Sequence, residues 1–413
     1  MGKMILNAAE LITCKGGSKA GIAMRDIGII TDGAMVMKDG IITDIGTTDE
    51  ILARHKQADY QVIDAAGKCV LPGFVDSHTH FVFGGYRAEE FFWRLSGTPY
   101  LEILSRGGGI LSTVEATRSA DTECLKAAGA KRLAAMAAMG VTTVEGKSGY
   151  GLDDVTELRQ LEIMKSLNTE QSVEIVPTFM GAHAVPPDYR GRTDEYVDHI
   201  IEKVLPAVVE QGVAEFCDIF CEQGVFSLEQ SRRLLSAAAA SGLRSKLHAD
   251  EIVALGGAEL AAELNAVSAD HLLQATDAGI KALADKGVVA TLLPATAFCL
   301  RESYARAREM IDGGVKVALA TDYNPGSCFT HSIPLVVALA AIKLGMTPAE
   351  IVTALTINGA AAVGREDRIG SLEVGKQADA VILSYPSHLF MVYHAGMNIV
   401  EKVFKKGQLI VGS

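Results

Sequence analysis

Between residues 70 and 323 the chain alternates short apolar runs with stretches dominated by alanine and leucine, and this alternation leaves few folds open. A run that is apolar at nearly every position is a strand buried on both faces, as in a parallel sheet whose two sides are covered by helices. The intervening stretches, such as 125–139 and 228–240, have the composition of helices and the length that a crossover between parallel strands needs. Eight runs can be picked out: 70–82, 141–149, 173–184, 215–225, 244–251, 268–273, 288–294 and 316–323. Eight such units predict an α/β fold, a (β/α)8 barrel, in which functional side chains gather at the C-terminal ends of the strands.

The two ends of the chain read differently. Residues 1–66 contain short alternating pieces broken by Gly and Asp, as in 33–40 and 41–46, and the tail repeats that texture in 370–375, 380–383 and 403–410. Strands at both termini pair readily when the ends of an inserted barrel lie close together. The expected organisation is a small β-sandwich domain from 1–66 plus 367–413, and a barrel from 67–366. A length of 413 residues accommodates both, since such barrels take about 250 residues.

Composition removes several functions. Thirty-eight basic residues against 50 acidic ones give a net charge of −12 with no local basic patch, which disfavours nucleic acid and anionic membrane surfaces. No window holds the roughly 18 uninterrupted apolar residues of a membrane span. The first 14 residues lack the pattern of a secretory signal, so a cytoplasmic location is expected. The seven cysteines are odd in number and form no CxxC pair, and they read as reduced core thiols.

Polar residues interrupt the apolar runs at their ends, where a barrel carries its chemistry. The first run closes in Asp76-Ser-His-Thr-His80, and the period of two puts His78 and His80 on one face. The fifth closes in Lys246-Leu-His-Ala-Asp-Glu251, the sixth contains Ala269-Asp-His-Leu272, and the eighth ends in Ala320-Thr-Asp-Tyr-Asn-Pro325. A single histidine is most often a hydrogen-bonded core or surface residue. Four such coincidences at strand ends point instead to a metal centre, and imidazoles with a carboxylate suit zinc or iron with a position left open for water. His55, His199, His331, His388 and His394 fall in helical or peripheral segments and receive no role.

The element Pro72 to His80, PGFVDSHTH, and the closing segment Gly370 to Leu383, GSLEVGKQADAVIL, resemble those of the amidohydrolase superfamily, over nearly the full chain. The resemblance implies one metal ion, zinc or iron, held by His78, His80, His248 and Asp322, with Glu251, His271 and Asp322 serving catalysis. Two-metal members usually bridge their ions with a carboxylated lysine on the fourth strand, and 215–226 contains no lysine, which favours a mononuclear site. Lys147, near the end of the second strand, reads as an ion pair at the barrel rim.

The loops resemble one branch, the imidazolonepropionase family. The segments 83–90, 97–100, 106–110, 147–151, 179–183 and 322–327 carry that likeness. Carried over residue by residue, it implies that Arg87, Tyr100, Tyr150, His183, Glu251, Asn324, Gly326 and Ser327 contact the substrate, a small imidazolone bearing a propionate. Arg87 is the cation such a carboxylate needs; alone it would read as a salt-bridge partner of Glu89 or Glu90. Gly107 to Gly109 read as a loop able to close over the site, or as a plain flexible turn. The implied reaction is hydrolytic opening of the ring by a metal-activated water, in a cytoplasmic homodimer. The alternatives are a deaminase of the cytosine or guanine type, which shares the ligand pattern but releases ammonia, and a catalytically silent scaffold.

Overall fold

The structure is a computed structural model that describes residues 2–98, 102–103 and 106–412. Its centre is a sheet of eight parallel strands in sequence order: β6 (Phe74–Asp76), β7 (Val141–Lys147), β8 (Glu174–Ala182), β9 (Phe216–Cys221), β10 (Arg244–Ala249), β11 (Ser268–His271), β12 (Val289–Leu292) and β13 (Lys316–Leu319). The first and last strands meet just beyond their C-terminal ends, through a parallel bridge between Thr79 and Tyr323. The Asp322 N–H donates to the His78 carbonyl (3.0 Å) and the His80 N–H to the Tyr323 carbonyl (2.9 Å). The expected (β/α)8 barrel is therefore present and closed.

Local chemistry fixes where the crossovers start. Ser227 and Gln230 form a reciprocal capping box at the head of helix Leu228–Ala240, and Asp153 caps Asp154–Glu170 by accepting from Thr156 N. The buried faces of these helices join the barrel strands in one large apolar core.

Both termini build a second sheet from β1 (Gly2–Ile12), β2 (Ile29–Lys38), β3 (Ile41–Thr47), β4 (Tyr60–Asp64), β5 (Cys69–Pro72), β14 (Ala380–Leu383), β15 (Val400–Lys405) and β16 (Gln408–Val411). The long β1 organises it. One edge pairs with β2, while the other pairs with β4 along Gly2 to Leu6 and with β5 at Glu10 and Leu11. The sheet folds over its own core, which includes Ile5, Met35, Ile42, Val70, Ile382 and Phe404.

The run 70–82 thus holds two strands in two sheets. Cys69–Pro72 pairs with β14 in the terminal sheet, and only at Phe74 does the chain enter the barrel. Strand pairing moves the first crossing from residue 67 to Gly73, whose N–H donates to the Asp379 carbonyl. Among the cysteines, all free, Cys14, Cys69, Cys217, Cys221 and Cys328 are buried as expected, but Cys299 is half-buried and Cys124 is exposed on the first turn of helix Thr122–Ala137. Among the described residues, no helix is long and apolar enough to cross a membrane.

Candidate metal and substrate site

Four imidazoles and one carboxylate converge at the C-terminal mouth of the barrel. His78 places Nδ1 2.6 Å from Asp270 Oδ2, and His248 places Nδ1 3.1 Å from Asp218 Oδ1. A carboxylate accepts, so each Nδ1 carries the proton and each Nε2 keeps a lone pair. Both Nε2 atoms are buried without a hydrogen-bond partner, on rings whose centroids lie 4.5 Å apart. Asp322 Oδ1 stands 3.4 Å from His78 Nε2 and 3.7 Å from His80 Nε2, while its Oδ2 accepts from Thr296 Oγ1 at 2.7 Å.

Among the described residues, three groups of potential ligand atoms lie within 4.8 Å of one another, and two of them share the mouth: His78, His80 and Asp322, and His78, His248 and His271. Leaving a buried ring nitrogen unpaired costs about 1–3 kcal/mol, a cost that a cation at the shared position removes. Burial, reinforced by neighbouring cations and imidazoles, holds His78, His80 and His271 well below the ordinary histidine range, so they are neutral, as ligation requires. The donor set fits a metal ion. Asp322 and His271 adopt the left-handed backbone region, at φ 52 and 75, which non-glycine residues hold only when the surrounding structure enforces it.

Lys147 departs from its expected place at the rim. It is fully buried beneath the ligands, with Nζ 2.9 Å from Glu145, 2.6 Å from Asp218 and 3.4 Å from Asp270. Burial works against its charge, but the three carboxylates outweigh it and keep the ammonium protonated. A carboxylated lysine there would face three anions, so Lys147 is unsuited to bridging two metals. The group His78, Glu145 and Asp270, close enough to ligate, is already served by Lys147 and by Lys246, whose Nζ lies 2.6 Å from Glu145.

Three of the expected substrate residues, His183, Tyr150 and Glu251, lie against these side chains. His183 stacks on His80 with centroids 4.8 Å apart, and its Nδ1 donates to the Gly149 carbonyl at 3.0 Å, leaving Nε2 free to accept. Burial and His248 push its pKa down to about 3. Tyr150 packs edge-on against both rings, and burial raises its hydroxyl pKa, so the phenol stays neutral. Glu251 lies 3.5 Å from His271, its carboxyl pushed up to about 8 by burial and then by Asp322.

Arg87 combines its two readings. It donates twice to the buried carboxylate of Glu90, at 2.8 and 2.5 Å, and its guanidinium also lies against Gly326, where any Cβ would collide with it. Asn324 and Ser327 hydrogen-bond each other, and Asn324 Oδ1 accepts from the Gly326 and Ser327 N–H groups at 2.8 Å. Those two side chains therefore shape the turn after Asp322. Tyr100 lies outside the described residues.

Sequence reasoning missed three contributors, Asp218, Asp270 and Thr296, and offered Glu90 only as one of two alternative salt-bridge partners of Arg87. Glu90 also accepts from the Gly109 N–H at 2.7 Å, tying the glycine-rich segment to Arg87. Its signal was its place three residues after Arg87 at the start of helix Ala88–Leu95. Of the five histidines given no role, His55, His199 and His388 pair with Asp44, Asp154 and Glu10, His394 packs on Tyr385, and His331 packs edge-on against Tyr323, the neighbour of Asp322.

The model of the amidohydrolase family matches residues 69–410. Imidazolonepropionases from Parabacteroides distasonis and Clostridium tetani are 59% and 57% identical to the chain; the first match covers 98% of both proteins, the second 98% of this chain and 97% of its relative. The chain belongs to the imidazolonepropionase family of amidohydrolases. Solved structures show the same fold at low identity. A zinc-bound adenosine deaminase from Xanthomonas campestris aligns with a TM-score of 0.72 at 18% identity, covering 99% of this chain and 93% of its own. Atrazine chlorohydrolase from Arthrobacter aurescens, complexed with zinc, gives 0.72 at 16%, covering 99% and 95%. Imidazolonepropionases thus share their barrel with enzymes of quite different substrates, and fold alone does not select the reaction.

Proposed function

We infer that this protein is an imidazolonepropionase: it hydrolyses 4-imidazolone-5-propanoate to N-formimidoyl-L-glutamate in histidine degradation. The observation that carries this reading is full-length identity above half to proteins of that name. In the reaction the oxygen of water adds to the ring carbonyl carbon, the ring C–N bond breaks, and a proton passes to the departing nitrogen.

His78, His80, His248 and Asp322 would hold one zinc or iron ion, supported by the orphaned Nε2 atoms of His78 and His248. When bound, such an ion lowers the pKa of water towards about 7 and polarises a carbonyl. The residues do the rest. Arg87, with Tyr100 and Tyr150 nearby in the sequence motifs, takes the propionate, and His183 offers Nε2 to a ring N–H. Asp322, beside the reacting water, accepts its proton, and His271 steadies the developing oxyanion region. Glu251, protonated at neutral pH, donates to the departing ring nitrogen. Asn324, Gly326 and Ser327 line the substrate through the turn they build. A homodimer acting in the cytoplasm belongs to the same proposal and rests on the family resemblance.

The test is to follow the ultraviolet absorbance of freshly generated imidazolonepropionate with metal-replete protein, alongside ammonia release from purines and pyrimidines. Loss of the absorbance without ammonia supports the reading. Ammonia from a base, with imidazolonepropionate untouched, replaces it with a deaminase.

A further inference from the structure

The most densely charged part of the interior lies directly beneath His78 and His248. Glu145 and Lys147 on β7, Asp218 on β9, Lys246 on β10 and Asp270 on β11 are all inaccessible to solvent. Lys147 touches Asp218 Oδ2 and Asp270 Oδ2 with one nitrogen. Asp218 turns its other oxygen to His248, accepting from both the backbone N–H (3.2 Å) and Nδ1 (3.1 Å). Asp270 Oδ2 accepts from His78 Nδ1, and its Oδ1 accepts from Ser268 Oγ at 2.7 Å.

We propose that Lys147 is a positioning residue for the metal centre, a single ammonium that holds the two carboxylates orienting His78 and His248. The inference rests on the reading that those imidazoles ligate the ion. Its physical basis is that two buried carboxylates sharing one cation repel each other once it is gone, and repulsion turns one of them away from its imidazole. The lone pair of that imidazole then loses its aim. Outer carboxylates of this kind typically govern about 10–100-fold in metal affinity. Lys246 supplies a comparison: it is equally buried and hydrogen-bonds only Glu145 and the Ser77 carbonyl, so its charge reaches Asp270 through space without holding either histidine-bearing carboxylate in place.

The experiment strips wild type, Lys147→Met and Lys246→Met with a chelator. Zinc affinity is then read by competition with a chromophoric chelator, and the visible spectrum is recorded with Co2+. The expected result is a zinc affinity lowered about 10–100-fold in Lys147→Met, with altered cobalt bands, and a clearly smaller loss in Lys246→Met, which touches neither carboxylate. In an Asp218→Asn background the Lys147→Met loss shrinks, because both act along one path. Wild-type affinity and an unchanged cobalt spectrum in Lys147→Met, an equal loss in Lys246→Met, or strict additivity would each overturn the proposal. Should Lys147→Met fail to fold, Asp218→Asn and Asp270→Asn are combined: non-additive losses uphold the shared cation, and additive ones overturn it. A wild type that binds neither zinc nor ferrous iron refutes the ligand reading itself, and this inference with it.

Discussion

Glu251 Oε1 lies 3.5 Å from His271 Nδ1, and both groups are neutral at pH 7: the carboxyl keeps its proton to about pH 8 and the imidazole has shed its own. The sign of the resulting pH dependence follows. A carboxyl whose pKa is raised can donate below that value and loses the ability above it. Activity that uses the Glu251 proton is present on the acid side and falls as pH rises through about 8. In a profile of kcat/KM, Glu251→Gln should show a rate lower by about 10²–10⁴-fold and lack that alkaline limb. A variant retaining both rate and limb would remove Glu251 from proton transfer.

Arg87 and Glu90 act as a pair. On the proposed role of Arg87, Arg87→Ala would remove a charge-assisted contact to the substrate carboxylate worth about 1.5–3 kcal/mol, and KM should rise about 10–100-fold. Glu90→Gln keeps the shape but not the charge, so the guanidinium loses its anchor and KM rises by a smaller factor. Steady-state kinetics on both variants checks the order; equal, unchanged KM values would assign carboxylate recognition elsewhere.

Gly326→Ala tests the packing of that guanidinium. The added methyl meets the mobile end of Arg87, so the fold should hold, with a melting temperature within a few degrees of wild type. KM, by contrast, should increase about tenfold as Arg87 is displaced, equivalent to about 1.4 kcal/mol. A large fall in melting temperature with unaltered KM would show the glycine to be structural.

Removing the metal should abolish turnover while leaving far-ultraviolet circular dichroism unchanged, because the site sits at the mouth and the apolar core lies elsewhere. Readdition of zinc or ferrous iron restores activity. His248→Ala should lose stoichiometric metal binding, measured by elemental analysis; full binding by that variant would contradict its ligand role.

Much of this arrangement was legible in the sequence because it is local. The two-residue spacing of His78 and His80, and the polar ends of the runs holding His248, His271 and Asp322, declare themselves along the chain. What escaped depends on neighbours distant in sequence. The continuous apolar run 70–82 gives no sign that Cys69–Pro72 belongs to one sheet and Phe74–Asp76 to another, since a doubly buried strand reads alike in both. Asp218 and Asp270 sit within apolar strands, and their partners His248 and His78 are supplied by other strands. Lys147 looked like a rim residue because a buried lysine is rare, and only the three-dimensional meeting of Glu145, Asp218 and Asp270 makes one tenable.

The backbone seam joining His78 to Asp322 and His80 to Tyr323 also sets the order in which the protein can be made. Seven strands of a nascent chain leave the ring open and the metal pocket without its carboxylate. Only when residues 316–323 have left the ribosome can the last strand dock against the first. If Asp322 ligates the ion as proposed, metal capture becomes a late event of synthesis, and a chain cut short before it would lack that donor, however well its earlier strands had folded.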